Sequence, residues 1–331
     1  MLALDIRRLQ ARADRKESRS AIEPLAVPAY GIVAFQLVAA AVLLPITGFT
    51  LSPAMLLALP VWAPLLCLGA ALLRRYDRPR ISGWLEATGL IYVQGLSTLF
   101  LLFPLTALSA PFADAQLAAA DRALGFDWPG FAHWVADDRF ATNCAVFAYN
   151  SFGWQPFLVI GGLFAAGLEV RAWQAVTAAG VAALATALIY PFAPALGAYV
   201  HFGLKGSEFA RFGAGFEFPP VLIAIKEQGV RTLTLSMFSG FVSFPSYHAA
   251  AAVIFTWAMW PFHKARYLFL VLNCGMMVAA TVGGGHYVVD IVAGAVVAAG
   301  SILCAQLICG PAANFAVPWP GSGGKPAVSA R

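Results

Sequence analysis

Charged residues are scarce in this sequence, since Asp, Glu, Lys and Arg together make up only 11% of its 331 residues. A soluble globular domain carries roughly 25%. Apolar residues account for 60%, the mean hydropathy is +0.75, and several runs of about 20 residues carry no charge. This balance excludes an ordinary soluble protein and predicts an integral membrane protein.

Cysteine is also scarce, and its arrangement excludes two common kinds of site. The count is odd, the residues lie in or beside apolar runs, and none belongs to a CxxC motif or a Cys/His cluster. We therefore predict free buried thiols, with neither a disulfide framework nor a zinc site. No metal and no cofactor are expected. The five residues are Cys67, Cys144, Cys274, Cys304 and Cys309.

Apolar runs organise the chain into a predicted all-α, polytopic transmembrane helical bundle of about eight spans. A basic tail over 1–26 precedes three N-terminal spans within 27–108. The membrane core is expected over 144–309, and a disordered Pro/Gly/Ala-rich tail over 310–331. The runs lie near residues 27–49, 53–73, 87–108, 144–168, 172–192, 246–260, 267–282 and 287–309.

The 109–143 segment interrupts the spans because it mixes acidic and apolar residues. Trp128, Phe131 and Trp134 recur there at helical spacing, which predicts an interfacial helix with aromatic rings at headgroup depth. A direct role of these rings in substrate binding is the alternative. Within the following run, Asn150 and Gln155 are expected to hydrogen-bond to a neighbouring helix.

The formal net charge of +5 reflects basic residues that flank apolar runs, where they set topology rather than bind nucleic acid. They are concentrated in the 1–26 tail and in the 74–86 and 263–266 turns. We therefore predict a plasma (inner) membrane protein with both termini cytoplasmic. Runs 246–260 and 287–309 would then begin together at the outer, periplasmic face.

Each of these two runs begins with a histidine motif. The first is Gly240-Phe-Val-Ser-Phe-Pro-Ser-Tyr-His248, and the second is Gly283-Gly-Gly-His-Tyr-Val-Val-Asp290. Ionisable groups in a membrane are costly, so they are functional candidates. Because His286 and Asp290 are four residues apart, a helix would place both on one face. The carboxylate could then bind one imidazole nitrogen and leave the other free to react.

These residues suit the transfer of a phosphoryl group. His286 would be the nucleophile, Asp290 its orienting group, and His248 the proton donor to the leaving group. The glycines Gly284 and Gly285 are expected to open a helix whose N–H groups bind an anion. Further substrate-binding candidates are Ser246, Lys226 and Arg231.

The two motifs resemble a known family. Phe244-Pro-Ser-Tyr-His248 and Gly285-His-Tyr-Val-Val-Asp290 are similar to the second and third signature motifs of the type 2 phosphatidic acid phosphatase superfamily. The resemblance covers about residues 144–309. It implies a helical-bundle lipid phosphatase or phosphotransferase in which His286 forms a phosphohistidine, His248 protonates the leaving oxygen, and no metal takes part.

Two departures from the family pattern favour one branch of it. The usual Lys…Arg-Pro first motif is missing, and Ala279-Ala280 stands where the phosphatases have Ser-Arg. Such a reduced third motif resembles the inositol phosphorylceramide synthase-like, inositolphosphotransferase branch. The stretches 121–128 and 149–151 also look like bacterial members of that branch. Loose substitutes for the missing cations are Lys205, Arg211, Lys226 and Arg231.

The sequence therefore predicts a membrane enzyme that hydrolyses or transfers a lipid phosphate or phosphodiester. Hydrolysis and transfer stay unseparated, because both would pass through the same phosphohistidine. The expected partner is a phospholipid or an isoprenoid phosphate within the membrane, and no nucleic acid. Two alternatives are a lipid-phosphate-binding transporter or flippase-like protein, and a structural membrane protein whose histidines only make helix contacts.

Overall fold

The computed structural model describes residues 25–55, 69, 79–205, 209, 211–212, 214–238 and 243–310. Almost all of the predicted basic tail, most of the second predicted span and nearly all of the C-terminal tail lie outside the described residues. The first three residues of the Gly240–His248 motif also lie outside them.

The described chain is mostly helical, as the sequence predicted. Two-residue strands β1 (Thr50–Leu51) and β2 (Thr232–Leu233) form a short parallel pair. Single 3₁₀ turns cover Tyr190–Phe192 and Leu235–Met237. The α-helices are α1 (Leu25–Ile46), α2 (Pro79–Ala107), α3 (Asp114–Ala123), α4 (Trp128–Asp137), α5 (Arg139–Ala165), α6 (Glu169–Ile189), α7 (Ala198–His201), α8 (Ala214–Lys226), α9 (Tyr247–Met259), α10 (Ala265–Gly284) and α11 (Val288–Cys309).

Five of the described helices are long and apolar enough to cross a membrane: α1, α2, α6, α10 and α11. This supports a multi-pass membrane protein. Helix α9 is apolar but has only 13 residues, and α5 has 27 residues but is not among the five. The count of about eight spans therefore stays a prediction.

Helix α6 lies at the centre of the membrane core and packs against α2, α9 and α11. It consists largely of alanine with some threonine and glycine, and most of its residues are buried. Small side chains let neighbouring helices approach closely, which favours packing inside a bilayer. Larger residues fill the remaining space, among them the buried Phe164, Trp173 and Ile254.

The polar residues of α5 only partly follow the prediction of inter-helix hydrogen bonds. Gln155 Nε2 lies 2.8 Å from Ser151 Oγ on its own helix and 3.7 Å from Met276 Sδ on α10. Asn150 Nδ2 instead donates to Val146 O within α5. One polar group thus reaches a neighbouring helix, and the other satisfies its own backbone.

A close contact between α9 and α11 brings the two histidine motifs together. A Cβ atom on Gly294 of α11 would lie 2.2 Å from Ser246 O, the residue that caps α9. The N–H of Ser246 in turn donates to Asp290 O at 3.0 Å. Both helices therefore begin at the same end of the bundle, in the arrangement predicted from the directions of the two runs.

Candidate active site

The turn between α10 and α11 contains His286. Gly285 adopts a left-handed conformation with φ of 67°, which ends α10. The N–H groups of Gly285 and His286 both donate to Ala280 O. The expectation that the glycines open a helix is therefore wrong. They end the preceding helix, because glycine tolerates positive φ, and His286 lies in the turn rather than on a helix face.

The predicted pairing of His286 with Asp290 is nevertheless present. His286 Nδ1 lies 3.3 Å from Asp290 Oδ2, and both side chains are buried. The same oxygen accepts from Ser243 Oγ at 2.8 Å and from Tyr287 N at 2.9 Å. Asp290 Oδ1 has no hydrogen-bond partner among the described residues. Three donors thus converge on Asp290 Oδ2. Its contact with His286 turns the Nδ1 edge of the imidazole toward the carboxylate.

Ser246 covers the other side of the His286 ring. Its Oγ lies 3.2 Å from Nε2, at the first turn of α9. Because the Asp290 carboxylate favours a proton on Nδ1, Nε2 presents its lone pair and can accept from the Ser246 hydroxyl. The imidazole is therefore oriented with one nitrogen held by an acid and the other available as a nucleophile.

His248 lies beside this pair on the first turn of α9. Its ring stacks on Tyr149 at a centroid distance of 4.5 Å and packs against Phe152, also at 4.5 Å. The centroids of the His248 and His286 rings are 6.2 Å apart. No described residue forms a hydrogen bond with the His248 ring. Its nitrogens are therefore free of a described protein partner and can exchange a proton with a bound ligand.

The start of α11 differs from the anion site that was expected there. Asp121 accepts hydrogen bonds from Val288 N at 2.9 Å and Val289 N at 3.0 Å, while Asp290 accepts from Tyr287 N. Carboxylates therefore already occupy the helix N-terminus, where a substrate anion was predicted to bind.

Open N–H groups lie instead at the start of α9. Tyr247 and His248 are its first two residues, and within the described residues their backbone N–H groups have no acceptor. Ser246 Oγ points toward the same turn and lies 3.4 Å from Ala249 N. Because Ser246 Oγ also lies 3.2 Å from His286 Nε2, the start of α9 borders the imidazole.

The two predicted substrate glycines have different surroundings. A Cβ atom on Gly284 would lie 2.8 Å from His286 Cδ2 and 3.2 Å from Nε2, so backbone without a side chain borders this nitrogen. Gly285 donates its N–H to Ala280 O and accepts from Ala198 N at 2.9 Å. Gly284 is therefore part of the site, whereas both backbone groups of Gly285 are used to shape the turn.

The predicted cations are held elsewhere. Lys226 Nζ contacts Ser109 Oγ and O and Ala110 O at 2.7 to 2.9 Å, and burial lowers the pKa of Lys226, an effect that Glu227 partly offsets. Arg231 Nη1 donates to the carbonyls of Ile225 and Val230, near the end of α8. Neither side chain hydrogen-bonds to the two histidines or to Asp290. The structure therefore does not bring these cations to the histidine pair.

Several residues around the site were not identified from the sequence. Trp128 was expected at headgroup depth, but it is 1% exposed and donates from Nε1 to His286 O at 2.9 Å. Trp134 is 63% exposed, and its position at headgroup depth stays a prediction. The roles of Ser243, Asp114 and Asp121 were also missed. Their signal was the rarity of polar side chains in an apolar chain, but their partners in space could not be read from it.

Within the part of the chain that the structure describes, no group of three or more His, Cys, Asp or Glu residues could hold a metal ion. Independence from metals stays a prediction, to be tested with a chelator.

Comparison with known proteins assigns the chain to a family. No curated protein matches the chain, and no solved structure matches it either. A family model described as the PAP2 superfamily matches residues 115–304, which is more than half of the chain. The match contains both histidine motifs, Asp290 and the segment with Asp121 and Trp128. This chain belongs to the PAP2 superfamily.

Proposed function

We propose that this protein is an integral membrane enzyme that cleaves or transfers a lipid phosphate or phosphodiester through a phosphohistidine on His286. One observation carries the proposal. The His286 imidazole is held by Asp290 on Nδ1 and faces Ser246 with Nε2, next to the open N–H groups at the start of α9. This arrangement combines a nucleophile with a place for the anion that it would attack.

In the first proposed step, His286 Nε2 attacks phosphorus. A P–N bond forms, the P–O bond to the leaving group breaks, and His248 gives its proton to the leaving oxygen. Ser246 Oγ and the N–H groups of Tyr247 and His248 hold the phosphoryl oxygens. These groups take the place proposed earlier for Lys226 and Arg231, which are held by other contacts.

In the second step, His248 takes a proton from a water molecule or an alcohol. The resulting oxygen attacks phosphorus, the P–N bond breaks, and His286 regains its lone pair. Water gives hydrolysis, whereas a lipid alcohol gives headgroup transfer, as in the inositol phosphorylceramide synthase-like branch. The reduced third motif favours transfer, since Ala280 stands where the phosphatases have a cation.

A product assay tests the proposal directly. The purified protein is incubated with phosphatidic acid, an isoprenoid phosphate or phosphatidylinositol, each with and without a lipid alcohol, in excess chelator. Mass spectrometry then separates free phosphate from a new phospho-headgroup on the alcohol. We expect one of these products without added metal. Tight binding of a lipid phosphate without turnover would instead support a binding or transport protein.

We further propose that the site faces away from the cytoplasm, because basic residues are concentrated in the turns at the other end of the bundle. In a variant with Cys144→Ala, cysteine replaces either Lys205, in the connection after α7, or His263, in the turn between α9 and α10. A membrane-impermeant maleimide applied to spheroplasts should label position 205 and spare position 263 until the membrane is opened. The reverse pattern would place the site on the cytoplasmic leaflet.

A further inference from the structure

The turn that carries His286 is held by side chains from a distant part of the chain. Trp128 of α4 donates from Nε1 to His286 O, and Tyr287 OH donates to Asp114 Oδ1 of α3 at 3.0 Å. Asp114 also accepts from the backbone N–H of Gly197 at 2.9 Å. The backbone around the nucleophile is thus fixed from outside its own helices.

Asp121 of α3 makes the most direct of these contacts. It is 1% exposed, and its two carboxylate oxygens accept one hydrogen bond each from Val288 and Val289. Burial raises the pKa of Asp121, the two amide hydrogen bonds oppose that rise, and the charge on Asp290 adds to it. A Ser, Thr or Asn side chain offers one acceptor oxygen, whereas the Asp121 carboxylate holds two successive backbone N–H groups at once. A buried acid that fixes two residues beside Asp290 calls for a reason beyond capping.

The conformation of the turn supplies that reason. His286 belongs to no helix, and its own N–H reaches Ala280 O only at 3.4 Å. The position of its ring therefore depends on the residues that flank it. Asp121 fixes Val288 and Val289, the first two residues of α11. Trp128 fixes the carbonyl of His286 itself.

We propose that Asp121 is a positioning residue, which acts through the backbone of Val288 and Val289 to align His286 with Asp290 for attack on phosphorus. Trp128 supports the same alignment from the other side of the turn. The inference rests on the function proposed above for His286. It assigns a positioning role to the 109–143 segment, for which the sequence predicted an interfacial helix and left a direct role in substrate binding as the alternative.

Asp121→Asn tests this role with little change in shape. The amide keeps one acceptor oxygen but turns an NH₂ group toward the N–H of Val288 or Val289, so one hydrogen bond becomes a repulsion. Small misplacements of a reacting group can cost about 100-fold in rate. We expect kcat to fall roughly 10- to 100-fold, with KM changed less than about twofold because the groups that bind the anion remain. Asp121→Glu should recover part of the loss.

Asp127→Asn is the matched control. Asp127 belongs to the same segment and also caps a helix, but it accepts from Gly130 N of its own α4 and is exposed. Its kcat should stay at the wild-type value. Equal effects of the two variants on kcat, or an Asp121→Asn loss confined to KM, would overturn the proposal. If Asp121→Asn does not fold, Trp128→Phe tests the same turn, because it keeps an aromatic ring beside Tyr199 and removes the indole N–H that donates to His286 O. An unchanged kcat in that variant would overturn the proposal.

A measurement without substrate separates this proposal from the function on which it rests. In protein labelled with ¹⁵N-histidine, the His286 signals are identified by their loss in His286→Gln. Wild type should show a protonated Nδ1 and an unprotonated Nε2, and Asp121→Asn should mix the two tautomers while Asp127→Asn does not. An unchanged His286 spectrum in Asp121→Asn overturns the positioning role. Absence of turnover in the wild type overturns the proposed enzymatic function instead. The His286 spectrum then still tests whether Asp121 positions His286.

Discussion

His286→Ala is expected to abolish turnover while the protein remains folded in the membrane. The imidazole provides the only proposed bond to phosphorus, and losing a nucleophile typically lowers kcat by several orders of magnitude. Asp290 would lose one of its three donors but keep Ser243 Oγ and Tyr287 N. The buried carboxylate would therefore remain partly satisfied, at a cost of about 1–3 kcal/mol in folding free energy.

Two measurements check this expectation. Steady-state product formation gives the loss in kcat, and brief incubation with a ³²P-labelled substrate should give a labelled wild-type protein and an unlabelled variant. His263→Ala is the control, since His263 is exposed in the turn between α9 and α10. Wild-type turnover in His286→Ala, or a labelled His286→Ala protein, would contradict the proposed phosphohistidine.

Asp290→Asn is expected to lower kcat by about 100- to 10,000-fold, a smaller loss than that of His286→Ala. An amide can keep an acceptor oxygen toward Nδ1 but lacks the negative charge that favours the proton there, so a share of the molecules carries the proton on Nε2 and lacks the lone pair that should attack. The fold should tolerate the change. Asp290 is fully buried and its Oδ1 has no partner among the described residues, so removing the charge also removes a desolvation cost.

The measurement is kcat together with the thermal midpoint in detergent. Asp138→Asn is a suitable control, because Asp138 is an exposed carboxylate that caps α5 through Phe140 N and Ala141 N. A drop in kcat at an unchanged midpoint supports the orienting role of Asp290. If Asp290→Asn turns over at the wild-type rate, the carboxylate does not set the tautomer of His286.

Sequence spacing predicted the His286–Asp290 contact for a reason that proved only partly right. The four-residue separation does bring Nδ1 to the carboxylate, but across a turn that Gly285 creates rather than along one helix. The left-handed conformation of that glycine could equally have belonged to a loop that opens a helix. Glycine permits several backbone conformations, so local sequence does not choose between them.

The predicted cations show a different limit. Lys226 and Arg231 lie close in sequence to the Gly240–His248 motif, and the sequence predicted them as ligands of a phosphoryl group. In the structure they bind the carbonyls of Ser109 and Ile225, at other places in the fold. Nearness in sequence says little about nearness in space once the chain runs through a non-helical connection.

By itself, the sequence determined that this is a membrane protein with two histidine motifs at the starts of apolar runs, because hydropathy and short-range spacing are local properties. The tertiary structure alone decided that Asp121 and Trp128 hold the turn of His286, and that the open N–H groups belong to α9. Asp121 is separated from Val288 by 167 residues and Trp128 from His286 by 158. Contacts over such separations depend on how whole helices pack, which no local pattern of residues encodes.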